Sequence, residues 1–145
     1  LQPTKTSLCL SLSPMDTLPF RDRSFDLVIA HGIWNLARSG AEFRRAVREA
    51  ARVSKRGAGL FVFTFSRNTL PRNAAPVSGE TFVFNQFSGQ PQCFLSEAEL
   101  VSELGAFGFA PDPPGPLREH NRPRPGDLQR AGGPVIYEGT FRMTA

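Results

Sequence analysis

A histidine stands directly behind a continuous apolar run, FDLVIA from Phe25 to Ala30, and Gly32, Trp34 and Asn35 follow it closely. An imidazole titrates near neutrality, so His31 in that position is a candidate general base for an acceptor that must lose a proton. A hydrogen-bonded structural histidine at a strand end is the alternative, and the sequence leaves both open. Trp34, with Asn35 beside it, would wall a pocket for an aromatic or cationic substrate, or the indole simply fills the core. A second group, Met15, Asp16 and Thr17, also follows an apolar stretch; Asp16 there either accepts a ligand's N–H or caps the turn into Leu18. No Walker-type loop, zinc spacing, nucleophile elbow or pair of catalytic carboxylates is present, so hydrolase and nucleotide triphosphatase chemistry has little support and no metal is expected.

Both groups lie where strands should end. Leu8, Leu10 and Leu12 alternate with Cys9 and Ser11, the period of a strand with one buried face, and Pro14 ends it. FDLVIA, β-branched at its centre, predicts a central strand covered on both faces. Ser39 with Glu42 forms a capping box, after which Phe43, Ala46, Val47 and Ala50 recur at helical spacing to about Lys55. The other face of that helix, with Arg44, Arg45, Arg48, Glu49 and Arg52, reads as solvated surface. Gly57 and Gly59 stop the helix, and LFVFTF (60–65) is a second buried strand reached by a right-handed crossover. In such an open α/β sheet a ligand lies beyond the carboxyl ends of the strands, which is where Asp16 and His31 fall.

The remainder is less regular. Residues 67–79 read as a loop, and 81–84 as a short strand or part of a lid. Phe82, Phe84, Phe87 and Phe94 serve either that lid or the core. Ser96 and Glu99 form a second capping box with Leu95 and Leu100 as a staple, opening a helix striped by Leu100, Val101, Leu104 and Phe107 and ending near Gly105 or Gly108. A Pro/Gly-dense irregular excursion occupies 111–134, and VIYEGTF (135–141) alternates as a last strand.

The chain has 145 residues, 40% of them hydrophobic with 13 Phe, enough for one globular domain with a real core. All but two of the 17 basic residues are arginine, and the formal net charge is +4. That balance admits nucleic acid as a partner, but the arginines are scattered, as a lysine-poor composition bias would leave them. Cys9 and Cys93 have no metal-ligand spacing and are too few for a disulfide framework, so a reduced, cytoplasmic setting is expected. No apolar run reaches the roughly 18 residues of a membrane span, so no membrane partner is expected. The first residue is Leu1, as in a processed, trimmed or partial product.

Taken in order, MDTLPFRDRSFDLVIAHGIWNL, EFRRAVREAARVSKRGAGLFVF, FLSEAELVSELGAFGF and VIYEGTF resemble the second half of small-molecule class I S-adenosylmethionine-dependent methyltransferases. The resemblance implies a Rossmann-like α/β methyltransferase fold, a mostly parallel sheet with an antiparallel last strand, and S-adenosylmethionine as cofactor. It places Met15, Asp16 and Thr17 at the adenine, with Asp16 accepting the amino group's hydrogen bond. It sets Ala30, His31 and Gly32 under the methionine end, and His31, Trp34 and Asn35 toward a small-molecule substrate. The family's first strands and glycine-rich loop have no counterpart here, so the implied fold is incomplete and weak cofactor binding by this chain alone is expected. A bare strand edge then implies a homo-oligomer or a complementing chain. Two rival readings follow: a non-catalytic half-domain acting through such a partner, and an RNA-binding or RNA-modifying module.

Overall fold

The computed structural model describes residues 5–123 and 133–145. In chain order the strands are β1 (Phe25–His31), β2 (Ser54–Phe65), β3 (Val83–Phe84), β4 (Gln92–Cys93), β5 (Phe109–Pro111), β6 (Arg118–His120) and β7 (Ile136–Met143). Helix α1 (Gly40–Val53) joins β1 to β2, and α2 (Glu97–Gly105) lies between β4 and β5. The main sheet has the order β1-β2-β7-β5, with β6 also paired to β7. β1 and β2 are parallel, whereas β7 is antiparallel to β2, β5 and β6, so β7 alone opposes the common direction. The mostly parallel α/β sheet with an antiparallel last strand is therefore present.

Helix α1 starts where the Ser39 hydroxyl accepts the Glu42 amide at 3.1 Å. The reciprocal half of the expected box is not made, because the Glu42 carboxylate instead accepts the Arg38 amide at 2.8 Å. The helix stops at Val53, short of Lys55: the Ser54 hydroxyl donates to the Ala50 carbonyl at 2.7 Å while its backbone turns extended. Its apolar stripe, Phe43, Ala46, Val47, Ala50 and Val53, is buried. Phe43 meets Trp34 edge-on at 6.0 Å and Phe82 at 5.3 Å, so these rings lie at the centre of the core. Dispersion and burial of this kind, not helix propensity, hold a helix of this length.

The second cap is complete. Ser96 accepts the Glu99 amide and Glu99 accepts the Ser96 amide, while Leu95 and Leu100 are both buried. The segment 81–84 contributes β3, which forms a two-stranded ribbon with β4.

Four expectations need correction. Ser7–Leu12 forms no strand; Leu8, Leu10 and Leu12 are exposed, since no neighbouring strand offers backbone partners among the described residues. β1 lies at the edge of the sheet, not in its centre. Only one of its faces is packed, and Leu27 and Ile29 remain 56% and 62% exposed on the other. Gly57 and Gly59 do not stop α1 but belong to β2, where the register shifts from Phe25↔Ser54 to Leu27↔Gly59 and Gly57 takes φ +79. Part of the 111–134 excursion is ordered as β6, while 124–132 lie outside the described residues.

Phe43→Ala removes a fully buried ring that two other aromatics pack upon, and it should cost about 3–5 kcal/mol of stability. Urea unfolding of the two proteins measures this, and a loss under about 1 kcal/mol would refute the central place given to Phe43.

Candidate functional site

The stretch from Pro14 to Ser24 has no regular structure of its own and is held against α1 by side chains. Arg52 donates to the carbonyls of Leu18 (3.1 Å) and Phe20 (2.7 Å) and to the carboxylates of Asp22 (2.9 Å) and Glu49 (2.8 Å). Glu49 in turn accepts the Leu18 amide at 2.8 Å. Arg52 and, more weakly, the Leu18 amide hold the Glu49 carboxyl below its ordinary range against the opposing effect of burial, and Arg52 is raised in return by Glu49 and Asp22. The amides of Arg23 and Ser24 close on the last carbonyls of α1. Arg52 and Arg45, which patterning assigned to solvated surface, are thus the fasteners of this segment.

Within the segment, Asp16 is bound by the Arg45 guanidinium at 3.0 Å through one carboxylate oxygen. Its other oxygen has no protein donor among the described residues. Met15 packs against the main core, and the Thr17 amide closes a turn onto Pro14.

The other predicted group gathers at the carboxyl end of β1. Ala30 is buried beneath α1, so only its backbone faces the junction. His31 is exposed and lies flat on Phe63, ring centroids 4.4 Å apart and planes 5° from parallel. The Gly32 amide donates to the Phe63 carbonyl at 2.8 Å with φ +66, and a side chain added there would meet no heavy atom within 4 Å. Glycine is therefore demanded by the backbone, and it leaves the approach open. Trp34 is buried against Phe43 as a core ring. Asn35 is also buried, and its Oδ1 has no hydrogen-bond partner. A buried amide oxygen left without a donor is costly and marks a place for one.

Sequence reading missed the residues beside His31 on the open face. Phe63 lies opposite both His31 on β1 and Glu138 on β7, and Glu138 is 2.6 Å from His120 of β6. The alternation of VIYEGTF carried the signal for Glu138, which points away from the buried Tyr137; His120 was hidden in the proline-rich stretch. Beyond β2, Phe65 stacks on Phe94 at 5.4 Å, and the exposed Phe87 leans on both at 5.7 and 5.8 Å. Phe84 and Phe94 form a small second core with Leu70, whereas Phe82 belongs to the first. Arg67 locks this region by lying 4.3 Å over the Phe84 ring and donating to the Phe94 carbonyl and Glu99.

The described residues hold no group of three or more side chains able to bind a metal, and no helix among them is long and apolar enough to cross a membrane. Arg44, Arg45, Arg52, Arg67 and Arg142 are each engaged by a carboxylate, so the basic charge is not gathered into one patch.

A family model described as a methyltransferase domain matches residues 3–63. A demethylmenaquinone methyltransferase of Corynebacterium glutamicum is 31% identical over 109 residues, covering 64% of this chain and 46% of that protein. One from Corynebacterium efficiens is 46% identical over 110 residues, covering 65% and 46%. The chain spans about half the length of the curated relatives it matches. Among solved structures, a SAM-dependent methyltransferase of Methanosarcina mazei superposes with TM-score 0.68 at 20% identity, over 97% of this chain and 69% of its own. The 1,6-didemethyltoxoflavin-N1-methyltransferase of Burkholderia thailandensis, with bound 1,6-didemethyltoxoflavin and S-adenosylhomocysteine, gives 0.63 at 16% identity, over 92% and 49%. These similarities carry the fold.

Two outcomes follow from this geometry. Arg52→Ala should leave α1 intact but free the segment before β1, raising hydrogen exchange at the Leu18 amide on the order of tenfold; unchanged exchange would overturn the pinning role. Burial, with Glu80 nearby, pushes the Cys93 thiol up to about 12, so it stays protonated and inert at mildly alkaline pH, while Cys9 is exposed. A disulfide reagent should titrate one thiol per folded chain and two after unfolding.

Proposed function

We infer that this chain is part of a class I S-adenosylmethionine-dependent methyltransferase and serves methyl transfer to a small, planar, largely apolar acceptor. The observation that carries this reading is the His31 ring lying flat on Phe63 at the carboxyl ends of β1 and β2, beside the Phe65, Phe87 and Phe94 cluster. A flat aromatic ledge next to an open glycine receives a planar molecule through stacking and apolar burial, with few polar contacts needed. The relatives described as demethylmenaquinone methyltransferases, and the neighbour that holds 1,6-didemethyltoxoflavin, support a small-molecule acceptor.

S-adenosylmethionine would supply an electrophilic methyl group on a sulfonium sulfur. The described residues fit part of that cofactor. Asp16 keeps a carboxylate oxygen for an amino group of the adenine, Met15 and Thr17 flank it, and Gly32 permits close approach of the methionine end. Ala30 contributes only backbone, its methyl being buried. Asn35 and Trp34, both buried, back this wall from the core.

His31 would hold the proton that the acceptor atom loses on methylation. In-line displacement needs alignment above all, and the Phe63 stack fixes the imidazole plane. The two free thiols support a reducing, cytoplasmic setting.

In the active protein Asp16→Ala should raise the cofactor's KM about tenfold and spare kcat, because the hydrogen bond is made equally in the ground and transition states. Arg48→Ala is the control, since it removes an exposed charge from the same helix while keeping Asp16 and its Arg45 contact, and should leave KM nearly unchanged. His31→Ala should lower kcat by about two orders of magnitude and flatten the pH profile near neutrality. Steady-state kinetics between about pH 5.5 and 9 decide the matter, and an unchanged profile would retire His31 as the base.

A further inference from the structure

Several segments converge on Arg67, which follows Ser66 just past the end of β2. Its Nε donates to the Phe94 carbonyl at 2.8 Å, and its Nη2 donates to the Thr81 carbonyl and the Glu99 carboxylate, both at 3.1 Å. The guanidinium lies 4.3 Å over the Phe84 ring, and the Arg67 amide donates to the Leu95 carbonyl at 2.9 Å. Glu99 is also the carboxylate that caps α2. One side chain thus ties the end of β2 to the start of α2 and to the chain between them.

That chain contains the antiparallel β3–β4 ribbon. Thr81 stands before β3 and Phe94 after β4, so Arg67 clamps the two legs of the hairpin at their base, and Phe87 stands in the turn between the strands. Phe94 carries the effect outward. Fully buried, it meets Phe84 at 6.2 Å, Phe65 at 5.4 Å and Phe87 at 5.8 Å. Phe87 is the exposed member of this cluster, and it leans on Phe65, the last residue of β2. It therefore stands at the carboxyl end of that strand, where an open α/β sheet receives its ligand. A lysine could not take the place of Arg67, since a single ammonium has neither a plane to lay on Phe84 nor a fixed fork for donors pointing at different legs.

We propose that Arg67 is a positioning residue for the acceptor: by clamping the base of the hairpin it sets Phe87 against the edge of the bound molecule. The proposal rests on the reading of the carboxyl ends of β1 and β2 as the acceptor site. The Nε and Nη2 donors of Arg67 are committed to carbonyls and a carboxylate, so it acts through Phe87 and not by touching the acceptor.

The test follows binding of indole, a small planar probe, at the His31 imidazole in a proton–carbon correlation spectrum of the full chain. Phe87→Ala and Arg67→Lys should each weaken indole by about fivefold, and the double variant should bind no more weakly than either single one, because both remove the same contact. Arg67→Lys binding as tightly as the unaltered chain, or losses that multiply in the double variant, would overturn the role of Arg67. Unchanged binding by Phe87→Ala, with His31 still responding, would overturn the hairpin's part and leave the acceptor site standing. Silence at His31 in the unaltered chain would overturn the acceptor site, and this proposal with it. Glu99→Gln keeps an oxygen for the Ser96 amide but removes the charge that Arg67 binds. It should weaken indole without adding to Phe87→Ala, and it decides the question if Arg67→Lys melts.

Discussion

Everything at the site follows from one packing constraint: α1 covers a single face of the sheet. Ala58, Leu60, Val62 and Thr64 of β2 are buried on the helix side, where they face Tyr137 and Phe141 of β7 across the register. Side chains alternate along a strand, so committing these residues to the core forces Phe61, Phe63 and Phe65 to the opposite face. The same rule sends Leu27, Ile29 and His31 outward from β1 and Glu138 outward from β7. The row of His31, Phe63 and Glu138 is thus the complement of the hydrophobic core, and neither can slip by one residue without inverting the other.

How much of this was legible in the sequence depended on whether the information was local. The caps of both helices, the apolar stripe of α1 and the identity of β1, β2 and β7 are written in residues a few positions apart. Strand position is not. FDLVIA has the composition of a strand packed on both sides, and only the neighbours actually present decide that Leu27 and Ile29 are uncovered. Leu8, Leu10 and Leu12 have the right period for a strand, but period without a hydrogen-bonding neighbour makes none. For the candidate site, the junction at His31 could be read from its place behind an apolar run. Its stack on Phe63 needs the β1–β2 register, and the His120–Glu138 contact joins residues 18 apart through a pairing that a proline-rich composition concealed.

Charge was misjudged for a related reason. An arginine on the polar face of an amphipathic helix is ordinarily solvated, and Arg48 is exposed as that reading expects. Arg52 differs because a neighbouring chain segment presents it with carbonyls and carboxylates arranged for the planar fork of its guanidinium, a geometry a lysine ammonium could not satisfy. Nothing in the spacing of the helix distinguishes the two positions.

The fastening of the Pro14–Ser24 stretch to α1 has a mechanical consequence. Asp16 rides on the helix through Arg45, whereas His31 rides on the sheet through Phe63. The separation between them is accordingly governed by how α1 seats on β1 and β2, a contact formed by Phe43, Ala46, Val47 and Ala50. Alanines at two of those four places let helix and sheet approach closely, so their methyl groups act as shims. Enlarging one would lift the helix and carry Asp16 with it, altering the gap between the two halves of the site while every residue within the site stayed the same.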